Sequence, residues 1–144
     1  METTDMGRVL TEATIYNLHD LFEARVGRMT PDQVRKIVVP NALVDTGGAT
    51  LALTPSLIQT LGLTKRGEKR TITAGGLANV NLYDAVRVEI MGRDASVDPI
   101  EVPEGNPVLI GQIPLEMMDW VVDMRDHKLI GNPAHGGEHV LELY

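Results

Sequence analysis

The sequence predicts an all-β domain: a closed or nearly closed barrel of short strands, carrying two short helices and one mobile hairpin. Three observations predict it. Runs of Val, Ile, Leu and Thr are short and many, glycine and proline punctuate them (14 and 8 residues), and Val86, Val88 and Ile90 alternate with charged residues. Alternation of that kind is the mark of a strand with one buried face.

Along the chain, residues 7–16 mix β-branched and apolar residues and read as a strand. Leu18, Leu21, Phe22 and Val26 fall at helical spacing, which predicts a short helix within 17–27. Thr30-Pro31-Asp32-Gln33 resembles a helix start but gives only a turn, because 37–39 and 43–44 are again extended. Thr54 to Gly62 has Pro just inside its start, Gly at its end and apolar residues at 57, 58 and 61, which is a capped helix. Residues 68–74 and 79–91 read as the arms of a hairpin joined by Gly75-Gly76, with a polar tip at Ala78-Asn79. Strands follow at 96–102 and 108–110, a helical turn at 114–119, and strands at 120–124, 128–130 and 139–144.

Composition narrows the function. The chain has 144 residues, enough for one domain with a real core. Aromatics are 3% and the formal charge is −7, so the core is built from aliphatic residues and Met, and nucleic acid is a poor partner. With no cysteine there is neither a disulfide framework nor a thiol nucleophile. No apolar run reaches membrane-spanning length and the acidic start, Met1 to Asp5, has no signal-like apolar stretch, so a cytoplasmic location is expected, with no membrane partner.

The chemistry concentrates at Asp45-Thr46-Gly47-Gly48, which follows the apolar Leu43-Val44 and precedes Leu51-Ala52-Leu53. A carboxylate leaving a buried strand on a glycine turn is placed for acid–base work; a plain tight turn uses the same residues. Two further features separate these readings. Val108-Leu109-Ile110-Gly111 precedes the expected helix at 114–119, and Trp120 to Asp123 and Lys128 to Ile130 follow it.

In that order — apolar pair with Asp-Thr-Gly at 43–47, hairpin at 68–90, apolar run with Gly at 108–111 — the chain resembles the retropepsin-like aspartic peptidases. The resemblance covers residues 34–131 of a single domain spanning 1–144; residues 1–33 are an N-terminal strand and connecting segment, and 132–144 a C-terminal tail and strand. It implies that Asp45 is the catalytic carboxylate, with Thr46, Gly47 and Gly48 supporting its loop and Leu109, Ile110 and Gly111 forming the second motif strand. Gly75, Gly76, Leu77 and Ala78 are then a flap over substrate. It implies a peptide or protein substrate, no cofactor and no metal. Because the motif occurs once and two carboxylates are needed, the resemblance implies a homodimer in which each copy supplies one Asp45.

Departures from the pattern are Gly48, where the family usually has Ala or Ser, Ala49, where retroviral members carry a substrate-binding Asp, and Gln112, where they often have Arg. Two rival functions are a non-catalytic dimeric binding or assembly module on the same fold, and a phosphate-binding fragment of an actin-like fold, suggested by Asp45-Thr46-Gly47-Gly48-Ala49-Thr50. The second needs lobes larger than 144 residues can build. His135-Gly136-Gly137-Glu138-His139 offers metal-binding side chains, but its glycine pair fixes no ligand geometry, and a loop is the expectation. Asp123 reads as a surface turn residue and Trp120 as packing.

Overall fold

The computed structural model describes residues 8–143. Eleven strands and three short α-helices follow in chain order: β1 (Leu10–Asn17), α1 (Leu18–Arg25), β2 (Lys36–Val44), β3 (Leu51–Leu53), α2 (Pro55–Leu61), β4 (Lys65–Thr73), β5 (Gly76–Tyr83), β6 (Val86–Ile90), β7 (Arg93–Val97), β8 (Ile100–Glu101), β9 (Leu109–Ile110), α3 (Gln112–Met117), β10 (Trp120–Asp123) and β11 (Lys128–Gly131). Nine strands form one curled sheet in the order β4-β5-β8-β3-β9-β2-β1-β6-β7, a half-barrel, and β10-β11 form a separate hairpin. The all-β, retropepsin-like fold class holds.

The core lies inside the curl. Ile15, Leu51, Leu53, Leu61, Val86, Val88, Ile90, Ile110, Leu115 and Met118 are all fully buried, so the aliphatic core demanded by the scarcity of aromatics is what forms. Val86, Val88 and Ile90 all face inward, as their alternation requires. Strand β3, inside the sheet between β8 and β9, has all three residues buried, and its sequence, Leu51-Ala52-Leu53, is accordingly apolar throughout.

Local signals fix the helices. Thr54 is extended before Pro55, and Gly62 ends α2 in the left-handed conformation at φ 66°, which a side chain would disfavour. Asn17 caps α1 by accepting from the Asp20 N–H at 3.0 Å, while its amide donates to the Leu61 carbonyl at 2.8 Å and ties α1 to the end of α2. Buried Asp20 accepts from the Arg35 backbone N–H and from two nitrogens of its guanidinium. The segment around Thr30 makes only a 3-10 turn, Pro31–Gln33, with the Gln33 side chain accepting from the Thr30 N–H.

Several expected elements change. The single arm expected at 79–91 is two strands, β5 and β6, interrupted at Asp84-Ala85 because β5 pairs with β8 while β6 pairs with β1 and β7. The strand expected at 96–102 is likewise split into β7 and β8 around Asp98-Pro99; Pro99 lacks the N–H a ladder needs. The hairpin turns at Ala74-Gly75, and Ala78 and Asn79 lie within β5, paired with Thr71 and Arg70. The helix expected at 114–119 starts at Gln112, directly after Gly111. The strand expected at 139–144 does not form over 139–143, and Tyr144 lies outside the described residues, as does Gly7 at the start of the expected first strand. Among the described residues, no helix is long and apolar enough to cross a membrane.

Candidate active site

The site is built where a strand from late in the chain enters between two early ones. Strand β9 runs parallel to β2 (Leu43 beside Leu109, Val44 beside Ile110) and antiparallel to β3 (Leu51 beside Ile110, Ala52 beside Leu109). The loop 45–50 joins β2 to β3 and must therefore arch over the end of β9. The Asp45 N–H donates to the Ile110 carbonyl at 2.8 Å, and the Val44 N–H to the Val9 carbonyl at 2.9 Å. The carboxylate thus leaves a backbone anchored from both sides.

Three more hydrogen bonds clamp the loop to the start of α3. Gly111 N–H donates to Thr50 O at 3.0 Å, Gln112 N–H to Gly48 O at 2.8 Å, and Ile113 N–H to Ala49 O at 2.9 Å. Such close backbone approach needs glycine. A Cβ on Gly111 would lie 2.4 Å from the Thr50 oxygen and 2.7 Å from the Ala49 carbonyl carbon. The Asp45 carbonyl accepts from the Gly48 N–H at 3.0 Å, closing a turn, and Asp45 Oδ1 accepts from the Gly47 N–H at 3.2 Å. That contact orients the carboxylate and leaves Oδ2 open.

Asp45 is half-buried at one end of a cleft of about 640 Å³. Gly47, Gly48 and Ala49 lie beside it, Ile113 and Met117 of α3 form one edge, and Leu109, Ile100 and Val102 extend the apolar wall. The β4-β5 hairpin also lines the cleft, through Lys69, Arg70, Thr71, Ile72, Val80 and Leu82. Thr46 is exposed. The structure therefore gathers Asp45, Gly47, Gly48, Leu109 and Gly111 around one cleft. Gly75, Gly76, Leu77 and Ala78 sit farther out; Leu77 and Ala78 border a separate shallow depression with Arg70 and Asn79. The hairpin residues that border the cleft were not singled out from the sequence. What brings them there is the register of β4 on β5, with Lys69 opposite Val80, which no signal in these polar strands fixes.

The other candidate side chains are engaged elsewhere. His135 holds its Nδ1 2.6 Å from Asp119 Oδ2 and its Nε2 2.6 Å from Glu142 Oε2; His139 Nε2 is 3.0 Å from the Met117 carbonyl. These imidazoles fasten the C-terminal segment to the α3–β10 corner. Asp123 accepts from the backbone N–H groups of Arg125 and Asp126 and closes the β10-β11 turn. Trp120 packs against the core with the Arg93 guanidinium 4.0 Å from its ring centroid. Of the methionines, Met118 is fully buried, while Met91, Met117 and Met124 are exposed.

A protein-family model described as aspartyl protease matches residues 33–113, more than half of the chain, and takes in β2, the Asp45 loop, the hairpin, β9 and the clamp at Gly111. No curated protein gives a significant match.

Proposed function

The chain belongs to the aspartyl protease family, and from that premise we propose that it is an aspartic endopeptidase whose catalytic dyad is Asp45 from each of two copies. The observation that carries this reading is the position of Asp45, with one carboxylate oxygen held by Gly47 and the other open, in a cleft that the β4-β5 hairpin also lines. One chain brings one such carboxylate. A second copy related by a twofold axis brings its equal, and the exposed Thr46 with the exposed apolar Ile113 and Met117 beside the loop supply surface for that contact.

Two carboxylates a few ångströms apart do not both ionise readily and share one proton, as in aspartic proteases generally. The ionised member takes a proton from a bound water as the water oxygen attacks the peptide carbonyl carbon. The protonated member gives its proton to the carbonyl oxygen, and a gem-diol results. Collapse breaks the C–N bond as the leaving nitrogen takes a proton from one carboxyl and a gem-diol hydroxyl gives one to the other, which restores the singly protonated dyad. The backbone clamp at Gly111 fixes the loop during this exchange, and the hairpin, including the Gly75–Ala78 end, excludes water by closing over substrate.

Asp45→Asn tests the proposal. The change is nearly isosteric and keeps an oxygen for the Gly47 N–H, so fold and association persist while cleavage of a peptide library at pH 4 to 7 disappears. The wild-type rate profile is bell-shaped and strongest on the acid side, with limbs belonging to the pair. Chelators leave the rate unchanged, because carboxylates activate the water. Cleavage by Asp45→Asn at the wild-type rate refutes the assignment.

The alternative, a dimeric binding or assembly module, is favoured by the apolar Ala49 and bare Gly48 beside the carboxylate. A Cβ at Gly48 would sit 3.3 Å from Asp45 Oδ2, so its absence leaves the loop less packed against the acid. Retained peptide binding without any cleavage by the wild-type chain selects this alternative.

A further inference from the structure

Strand β4, Lys65–Thr73, places four cations and one anion on a chain whose net charge is −7. Two of the cations are spoken for. Lys65 pairs with Glu68 at 3.2 Å, and Arg66 pairs with Asp98, a carboxylate that also borders the cleft. Among the described residues, Lys69 and Arg70 make no ion pair and no side-chain hydrogen bond.

Their faces differ. Lys69 lies opposite Val80, and Val80 and Leu82 are successive residues on one face of β5; all three border the Asp45 cleft. Arg70 lies opposite Asn79 on the alternate face; it reaches the cleft rim and also borders the outer depression with Leu77 and Asn79. Lys69 is thus an exposed cation with no ion pair, beside the aliphatic Val80 and Leu82 on a hairpin face that borders the Asp45 cleft. An occupant that covers it gains by supplying a negative group there, since otherwise the ammonium must swing out to water or lose hydration unpaired.

We propose that Lys69 is a specificity-determining residue: the cleft selects extended peptides in which an acidic side chain faces the hairpin. This rests on the peptide-binding reading of the site. In an extended peptide, side chains alternate between the floor and the hairpin, so only every second position near the scissile bond can reach Lys69. The preference must therefore fall on one position, or on two positions two residues apart, and skip the residue between them. A solvated lysine with no role in recognition gives no such pattern.

The test uses the full-length chain carrying Asp45→Asn, with and without Lys69→Met, and a set of fluorescein-labelled aliphatic decapeptides in which one Glu or one Gln is walked through the central positions. Binding is read by anisotropy at pH 6, and cleavage of the same peptides by the wild-type chain is measured in parallel. Glu peptides are expected to bind about fivefold to tenfold more tightly than their Gln counterparts at those positions, the range for one partly covered charge pair. Lys69→Met abolishes the difference, salt at 0.5 M shrinks it, and Lys65→Met, which removes a β4 cation away from the cleft lining, leaves it in place. Equal affinity for Glu and Gln at every position, or a Glu preference that survives Lys69→Met, overturns the inference. Cleavage of Glu and Gln peptides at equal kcat/KM overturns it while leaving the peptidase reading intact. A Lys69-dependent preference in binding, with no cleavage by the wild-type chain, supports the inference and removes the peptidase reading instead. Absence of both binding and cleavage overturns both.

Discussion

Gly111→Ala is the most direct probe of how the fold holds the site. The added methyl would lie 2.4 Å from Thr50 O and 2.7 Å from both Ala49 C and Thr50 N, all backbone atoms that cannot rotate away. Ordinary contact begins near 3.4 Å, so the 45–50 loop must retreat from β9 by about 1 Å. The clamp bonds at 3.0, 2.8 and 2.9 Å then stretch beyond hydrogen-bonding range. Three net hydrogen bonds at about 1 kcal/mol each set the loss at about 3 kcal/mol, inside the usual range for overpacking. For a chain of this size that is a fall of roughly 6–12 °C in Tm. A shift of 1 Å at the loop that carries Asp45 is expected to cost about a hundredfold in kcat/KM at temperatures where the protein is still folded. Calorimetry and peptide cleavage read the two effects, and Gly75→Ala is the comparator for the melting temperature, since its Cβ would meet nothing closer than Thr73 Oγ1 at 3.8 Å. Gly111→Ala melting within 2 °C of wild type would refute the claim that backbone proximity dictates glycine here.

The C-terminal segment should respond to pH in a defined window. Hydrogen bonding from His135, then from the Val140 N–H and Asn132, holds the Asp119 carboxyl at about 2, and the carboxylates of Glu142 and then Asp119 raise His135 above 6.5. A depressed acid contributes above its ordinary value, 3.8, and loses that contribution as pH falls toward about 2; a raised His contributes below 6.5 and loses it as pH rises through its folded value. Protection of the Val140 amide, which donates to Asp119 Oδ2, should therefore peak between 3.8 and 6.5. Hydrogen exchange corrected for intrinsic rates reads it, and protection that stays flat from pH 5 to 9 contradicts the latch. On association, sedimentation should show a dimer at micromolar concentration, with Ile113→Glu weakening it about a hundredfold by setting a charge in an apolar contact. A wild-type monomer with full activity excludes the two-copy dyad.

Much of this protein is set by signals that act within a few residues. Pro55 and Gly62 bracket α2, the alternation of Val86, Val88 and Ile90 gives β6 its inward face, and the order of apolar pair, Asp45 turn, hairpin and Gly111 was readable as a family pattern. Such signals are local because capping, steric preference and periodicity involve only neighbouring backbone. Partner choice is not local. The insertion of β9 between β2 and β3, which turns Asp45-Thr46-Gly47 from a plain turn into a clamped loop, brings together segments with no adjacent sequence cue. The same holds for the split of 79–91: its residues read as one extended run, and only the competing partners β8 and β1 break it. The alternating Val140 to Leu143 has the pattern of a strand but no ladder among the described residues. Its Val140 N–H is held instead by the Asp119 carboxylate and its Glu142 side chain by His135, contacts that give the buried acid a donor it needs.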